Sequence, residues 1–193
     1  MDLTLGTIQE KTARAKVSMM WFAMISMFMT FAGLTSAYIV SNTRKDWFNE
    51  FEFPVEFFFS LSTVILSSVV FYLMIKAIKA NQTKNVTTLL IVEIALGVLF
   101  VFLQFKAFSN IAGQGFYFTG PASTISTTFI YVIAVTHLLH IFGGLIVLLI
   151  VFVNQLKGKY SSGNFLGLKL ASMYWHFVDV LWVYLFCFLY FMR

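Results

Sequence analysis

Cysteine is almost absent from this sequence. The single one, Cys187, lies inside an apolar run, so the chain of 193 residues has no disulfide framework and no paired-cysteine metal or redox motif. Proline is scarce as well, with 2, and charged residues make up 11% where a soluble domain carries about a quarter. So few breakers and charges exclude a disordered chain and leave too little polar surface to clothe a soluble fold. What fills the sequence is hydrocarbon and rings: 60% of residues are apolar, 24 of them Phe, and the mean hydropathy is +0.86. One small core could not hide that much oily surface, so the composition is that of an integral membrane protein. The net charge of +5 comes from 13 Lys and Arg against 8 Asp and Glu. These bases form short clusters between apolar runs, which is a pattern of membrane orientation and not of nucleic-acid binding.

Five stretches are long enough to cross a hydrocarbon core about 30 Å thick, which takes roughly 20 helical residues. They are 17–40, 55–78, 86–105, about 124–153 and 169–192. None shows the alternating polar and apolar dyad of a transmembrane barrel. The predicted fold is therefore all-α: a polytopic membrane helix bundle of five transmembrane helices, with residues 1–193 as a single transmembrane domain. The first run is long enough to span and is followed by further spans, so it reads as a span and not as a cleaved signal. Asn, Gly, Pro and Lys punctuate the connectors, and their shortness predicts antiparallel neighbours. Lys11, Arg14, Lys16, Lys76, Lys79, Lys84, Lys157, Lys159 and Lys169 fall on one side of the membrane. Arg44, Lys45, Lys106 and Arg193 fall on the other, with Asp46, Glu50, Glu52 and Glu56. The excess of bases puts the N-terminus inside and the C-terminus outside.

An ionisable side chain within lipid is costly and must face protein or water. Five such residues stand out: Glu93 in the third run, His137 and His140 in the fourth, and His176 and Asp179 in the fifth. Both pairs are spaced i, i+3, which puts each on one helix face. Three imidazoles and two carboxyls could in principle supply a metal or haem site. Haem needs histidines at matched depth on facing helices, and a di-iron bundle needs a repeated Glu-x-x-His that is missing here. The favoured reading is interhelical hydrogen bonding, with His176 and Asp179 as a pair reaching towards His137 or His140. No catalytic residue and no metal ligand is assigned. Ser26, Ser60, Ser67 and Ser68 lack a nucleophile-elbow context and are expected to bond to their own backbone. Gly33 with Ala37, and Gly143 with Gly144, mark places where two helix backbones could approach closely. The aromatic side chains of the last run cover all its faces and are expected to serve as bulk packing.

The string Tyr174, Trp175, His176, Phe177, Val178, Asp179, Val180, Leu181, Trp182 closely resembles the signature of the final helix of cytochrome c oxidase subunit III. Thr136, His137, Leu138, Leu139 and His140 followed by Gly143 are similar to that family's preceding helix. Ala32, Gly33 and Leu34 with Ala37, Tyr38, Ile39 and Val40 resemble its first common helix, and Gln104 falls where the family often has Gln. The likeness covers nearly the whole chain, in a short bacterial five-helix form lacking the first two helices of the mitochondrial members. Two departures matter. The family's buried carboxyl midway along the first common helix is replaced here by Met27, next to Ser26, and the acid that often follows the Gln by three residues is Ala107 here.

That resemblance implies a non-redox accessory subunit of a haem-copper cytochrome c oxidase in the bacterial inner membrane, the complex that reduces dioxygen and translocates protons. It implies haem and copper in partner subunits and none on this chain, contacts with catalytic subunit I and with subunit II, and a possible place in a larger respiratory supercomplex. It also implies phospholipid in an interhelical cleft, to which no residue is assigned, and support of proton uptake during oxygen reduction. Alternatives from other classes are a small haem b quinol-oxidising anchor and half of a dimeric secondary transporter. Glu93 is expected either to replace the carboxyl that Met27 lacks, by pointing at the first helix, or to lie near the inner interface and reach headgroups or the partner subunit.

Overall fold

The computed structural model describes residues 7–44, 47, 52–120 and 123–192. Lys45, Asp46, Glu50 and Arg193, which enter the charge count, lie outside the described residues. Five helices follow one another: α1 (Ile8–Ser41), α2 (Val55–Lys79), α3 (Thr83–Gly113), α4 (Ile125–Leu156) and α5 (Leu166–Met192). Each contains a window long and apolar enough to cross a membrane.

The ends differ from the apolar runs for local reasons. α1 starts nine residues before residue 17 because Thr7 and Glu10 form a capping box: Glu10 N donates to Thr7 Oγ1 at 3.3 Å and Thr7 N to Glu10 Oε2 at 2.9 Å. α3 runs past residue 105 through Lys106 to Gly113, since a helix need not stop where hydrocarbon stops. Thr124 and Thr127 cap α4 reciprocally. Lys76 and Lys79 sit in the last turn of α2, where the helix dipole favours cations. The turn into α3 passes through Asn81 at φ 57, a left-handed conformation that Asn tolerates.

α2, α3, α4 and α5 close into a ring in which each packs on the next and α5 returns to α2. α1 stands outside it, against α4 and α5, and among the described residues it packs on neither α2 nor α3. The first connector therefore joins two helices that do not pack on each other. Polar ties at its far end fix α1 instead: Thr35 Oγ1 lies 3.1 Å from Tyr184 Oη, and Tyr38 Oη donates to the Met192 carbonyl at 3.3 Å.

Two apolar clusters fill the ring. Phe57, Phe100, Ile133, Val178 and Trp182 belong to one, which Phe31 and Tyr38 of α1 complete. Phe71, Met74, Leu90, Leu148 and Trp175 belong to the other. The small residues do not bring backbones together as expected. A Cβ on Gly33 would meet nothing within 4 Å, whereas one on Gly144 or Gly97 would run into the Trp175 indole. The close approach is that of a ring to two helices.

Candidate functional site

Between the two clusters, α2, α3 and α5 share a buried hydrogen-bonded network centred on Ser67. Its hydroxyl donates to Glu93 Oε1 at 2.5 Å, lies 3.2 Å from Asp179 Oδ2, and accepts the Trp175 indole N–H at 2.6 Å. Next to it, Ser68 donates to the same Asp179 Oδ2 at 2.8 Å, and His176 Nδ1 approaches Ser68 Oγ at 3.2 Å. Since the Ser68 hydrogen goes to the carboxylate, the Ser68 oxygen accepts from His176, which places the ring proton on Nδ1. Glu93 is fully buried and Asp179 is 3% exposed.

Why these side chains meet follows from helix register. α2 and α5 run antiparallel, and Ser60 and Ser67 are seven residues apart, as are Trp175 and Trp182. Trp182 Nε1 donates to Ser60 Oγ at 3.1 Å just as Trp175 donates to Ser67. Two tryptophans two turns apart on α5 thus bolt to two serines two turns apart on α2, because seven residues bring a helix back to nearly the same face. Ser60 can accept because its own hydrogen goes to the Phe57 carbonyl at 2.8 Å.

Several expectations are corrected here. His176 and Asp179 do not pair directly but through Ser68, and neither reaches His137 or His140, because α5 turns this face to α2. His137 is instead fully buried in a cage of rings: it stacks on Trp182 with centroids 5.0 Å apart, with Phe100 and Phe31 edge-on at 5.8 and 6.2 Å, and neither ring nitrogen has a hydrogen-bond partner among the described residues. His140 is half-buried and its Nδ1 donates to the Thr136 carbonyl at 2.7 Å. Gln104 is buried with both amide atoms unpartnered. Glu93 points neither at the first helix near Met27 nor at a membrane surface, since α1 does not pack on α3. Ser60 donates to its own backbone as expected while also accepting from Trp182, whereas Ser67 and Ser68 donate across helices to the two carboxyls. The available signal was the stripe Ser60, Thr63, Ser67 at i, i+3, i+7 along one face of α2.

The rest of the signature follows the same logic. Tyr174 donates from its hydroxyl to the His140 carbonyl at 2.8 Å, tying α5 to α4. Val178 is fully buried in the first cluster, and Phe177 is partly buried against it. Among the described residues no group of three or more His, Cys, Asp or Glu stands close enough to hold a metal ion.

Five apolar spans, three of them joined by a buried polar network, define a multi-pass membrane protein. The chain belongs to the cytochrome c oxidase subunit III family, whose model matches residues 16–193. Cytochrome c oxidase subunit 3 of Spodoptera frugiperda is 33% identical over 145 residues, 74% of this chain and 91% of that protein. That of Thermostichus vulcanus is 28% identical over 171 residues, 86% of this chain and 82% of that one. The Loxodonta africana protein is 34% identical over 110 residues, 57% of this chain and only 40% of its own longer sequence.

The network makes one expectation about Glu93 quantitative. The single Ser67 hydrogen serves one carboxyl at a time, so Glu93→Gln, whose amide can donate to Ser67 while Ser67 donates to Asp179, keeps every bond. Glu93→Leu leaves Ser67 only Asp179, at 3.2 Å, to donate to and should cost about 0.5 to 1.5 kcal/mol, the net worth of one hydrogen bond. Thermal unfolding of the two purified variants checks this; a Gln variant less stable than the Leu variant would refute the assignment.

Proposed function

We propose that the chain is the non-redox accessory subunit of a haem-copper cytochrome c oxidase in a bacterial inner membrane, N-terminus inside, packed against catalytic subunit I and subunit II. The observation that carries this is the family match over residues 16–193. Within that complex the subunit steadies the catalytic subunit and supports proton uptake from the inner side. Its histidines are arranged for structure: His137 and His140 share α4, and His176 on α5 turns to Ser68 of α2. A haem anchor would need two imidazoles facing each other across helices.

The complex depleted of this subunit is expected to keep initial electron transfer but to lose activity progressively during turnover. Equal lifetimes for the depleted and intact complexes, with equal proton stoichiometry, would overturn the reading.

Phospholipid is proposed to bind where α1 and α5 begin. A cavity of about 740 Å³ opens there between Thr7 to Lys16 of α1 and Gly163 to Lys169, ahead of and within the first turn of α5. Lys16 and Lys169 supply cations for a phosphate, and the exposed Ile8 with Phe165 supplies apolar surface. The purified subunit is expected to show no Soret band and no stoichiometric iron or copper, and to retain phospholipid that Lys16→Glu with Lys169→Glu releases. A Soret band would sink the non-redox reading, and unchanged lipid content in the double variant would sink the lipid site.

A further inference from the structure

The wired side of Asp179 leaves its other side open. Oδ2 takes both serine hydroxyls, while Oδ1 makes no hydrogen bond to any described residue. Asp179 and Ser68 line a groove of about 320 Å³ on the exposed side of the seam between α2 and α5, whose walls include Ile65, Val69, Tyr72, Val180 and Val183. The walls are exposed, Tyr72 and Val180 each to 67%. Apart from Asp179 and Ser68, the lining is aliphatic with one tyrosine.

Depth decides what can cover such a groove. Asp179 is 13 residues from either end of α5, so each end is about 20 Å away along the helix. Phosphate and glycerol of a lipid headgroup lie too far off, and acyl chains offer no hydrogen to an acceptor. In hydrocarbon an acceptor with an open lone pair is costly, which is why such groups in membrane helices face protein. The groove is too small for a helix but has room for a side chain projecting from one.

We propose that this groove is a docking socket for a transmembrane helix of a partner subunit in the oxidase complex, which inserts a hydrogen-bond donor side chain at mid-membrane depth onto Asp179. The proposal rests on the accessory-subunit reading and adds the face and the chemistry of the contact. The Ser67, Ser68 and His176 network then has a second consequence: it holds the carboxyl rotamer fixed, so that Oδ1 is presented to the partner without further ordering.

The test uses the assembled complex in native membranes. A benzoylphenylalanine photo-crosslinker is placed at Tyr72, on the groove wall, with Leu139 on α4, away from the seam, as the control position. The expected product at Tyr72 joins this chain to a membrane subunit of the same complex, through a peptide from the middle of a spanning segment that carries a donor side chain. In parallel, Val180→Trp fills the groove from its rim and should lower the partner recovered per copy of this chain roughly tenfold, with the melting of the isolated bundle unchanged. Crosslinks to phospholipid alone, to a second copy of this chain, or to a spanning peptide without a donor overturn the proposal, as does full partner recovery with Val180→Trp. If the tagged chain instead brings down no haem-copper subunits at all, the accessory-subunit reading itself fails.

Discussion

Gly144→Val is expected to cost the subunit most of its folded yield, and Gly143→Ala, one residue away, almost nothing. A Cβ at Gly144 would lie 2.7 Å from Trp175 Cζ3 and 3.1 Å from both Trp175 Cε3 and Tyr174 Cε1. The indole has little room to retreat, because Gly97 of α3 also lies close to it: a Cβ there would sit 3.2 and 3.3 Å from the same ring and 2.7 Å from Leu145 Cδ2. Trp175 is thus wedged between α3 and α4 while its N–H holds Ser67 on α2 at 2.6 Å. Overpacking of this kind costs about 1 to 3 kcal/mol. Any shift that relieves it breaks the indole bond and leaves a buried donor unpaired, for about 1 to 3 kcal/mol more. At Gly143 the only neighbour within 4 Å is the Tyr174 hydroxyl at 3.9 Å, ordinary contact distance. Yield and thermal midpoint in detergent measure the difference, and equal losses for the two variants would show that the wedge is absent.

The same tryptophan marks the boundary of what the sequence made legible. Five spans could be counted because hydrocarbon thickness sets a length that composition must meet. Their ends could not, since the Thr7 and Glu10 capping box and the Lys106 turn of α3 are helical outside any apolar run. Of the five ionisable residues singled out, Glu93, His137 and Asp179 are buried while His140 and His176 are half-buried, and buried hydroxyls such as Ser60, Thr63 and Ser67 were not among them. Their partners could not be named, because spacing along one helix says which face a residue shares but not which helix that face meets. His176 and Asp179 looked like each other's partners for that reason, and the intervening Ser68 lies more than a hundred residues away in the chain. The position of α1 outside the ring was equally invisible, since adjacency in sequence carries no information about a connector that bridges helices not in contact.

Asp179→Leu is expected to be far more damaging than Asp179→Asn, and the geometry of the two serine bonds explains why. Both hydroxyls are directed at a single oxygen, Ser68 at 2.8 Å and Ser67 at 3.2 Å, and both reach Oδ2. An asparagine that places its amide oxygen there keeps both contacts and turns its NH₂ to the groove, where no described side chain of this bundle depends on an acceptor. Leucine keeps the branching but leaves the Ser68 hydrogen without its acceptor. His176 then loses the fixed hydroxyl orientation that receives its Nδ1 proton, and Ser67 has only Glu93 left to donate to. In a protein interior one orphaned polar group costs about 1 to 3 kcal/mol. In lipid, alternative partners in the unfolded but inserted chain reduce that figure, with measured interhelical bonds averaging about 0.6 kcal/mol. Two serines disturbed together place the Leu variant roughly 1 to 4 kcal/mol below wild type, with the Asn variant within about 1 kcal/mol of it. Thermal unfolding of the purified subunit resolves differences of that size. Wild-type stability in Asp179→Leu would mean that the serines find equal partners elsewhere and that the network does not hold α2 to α5.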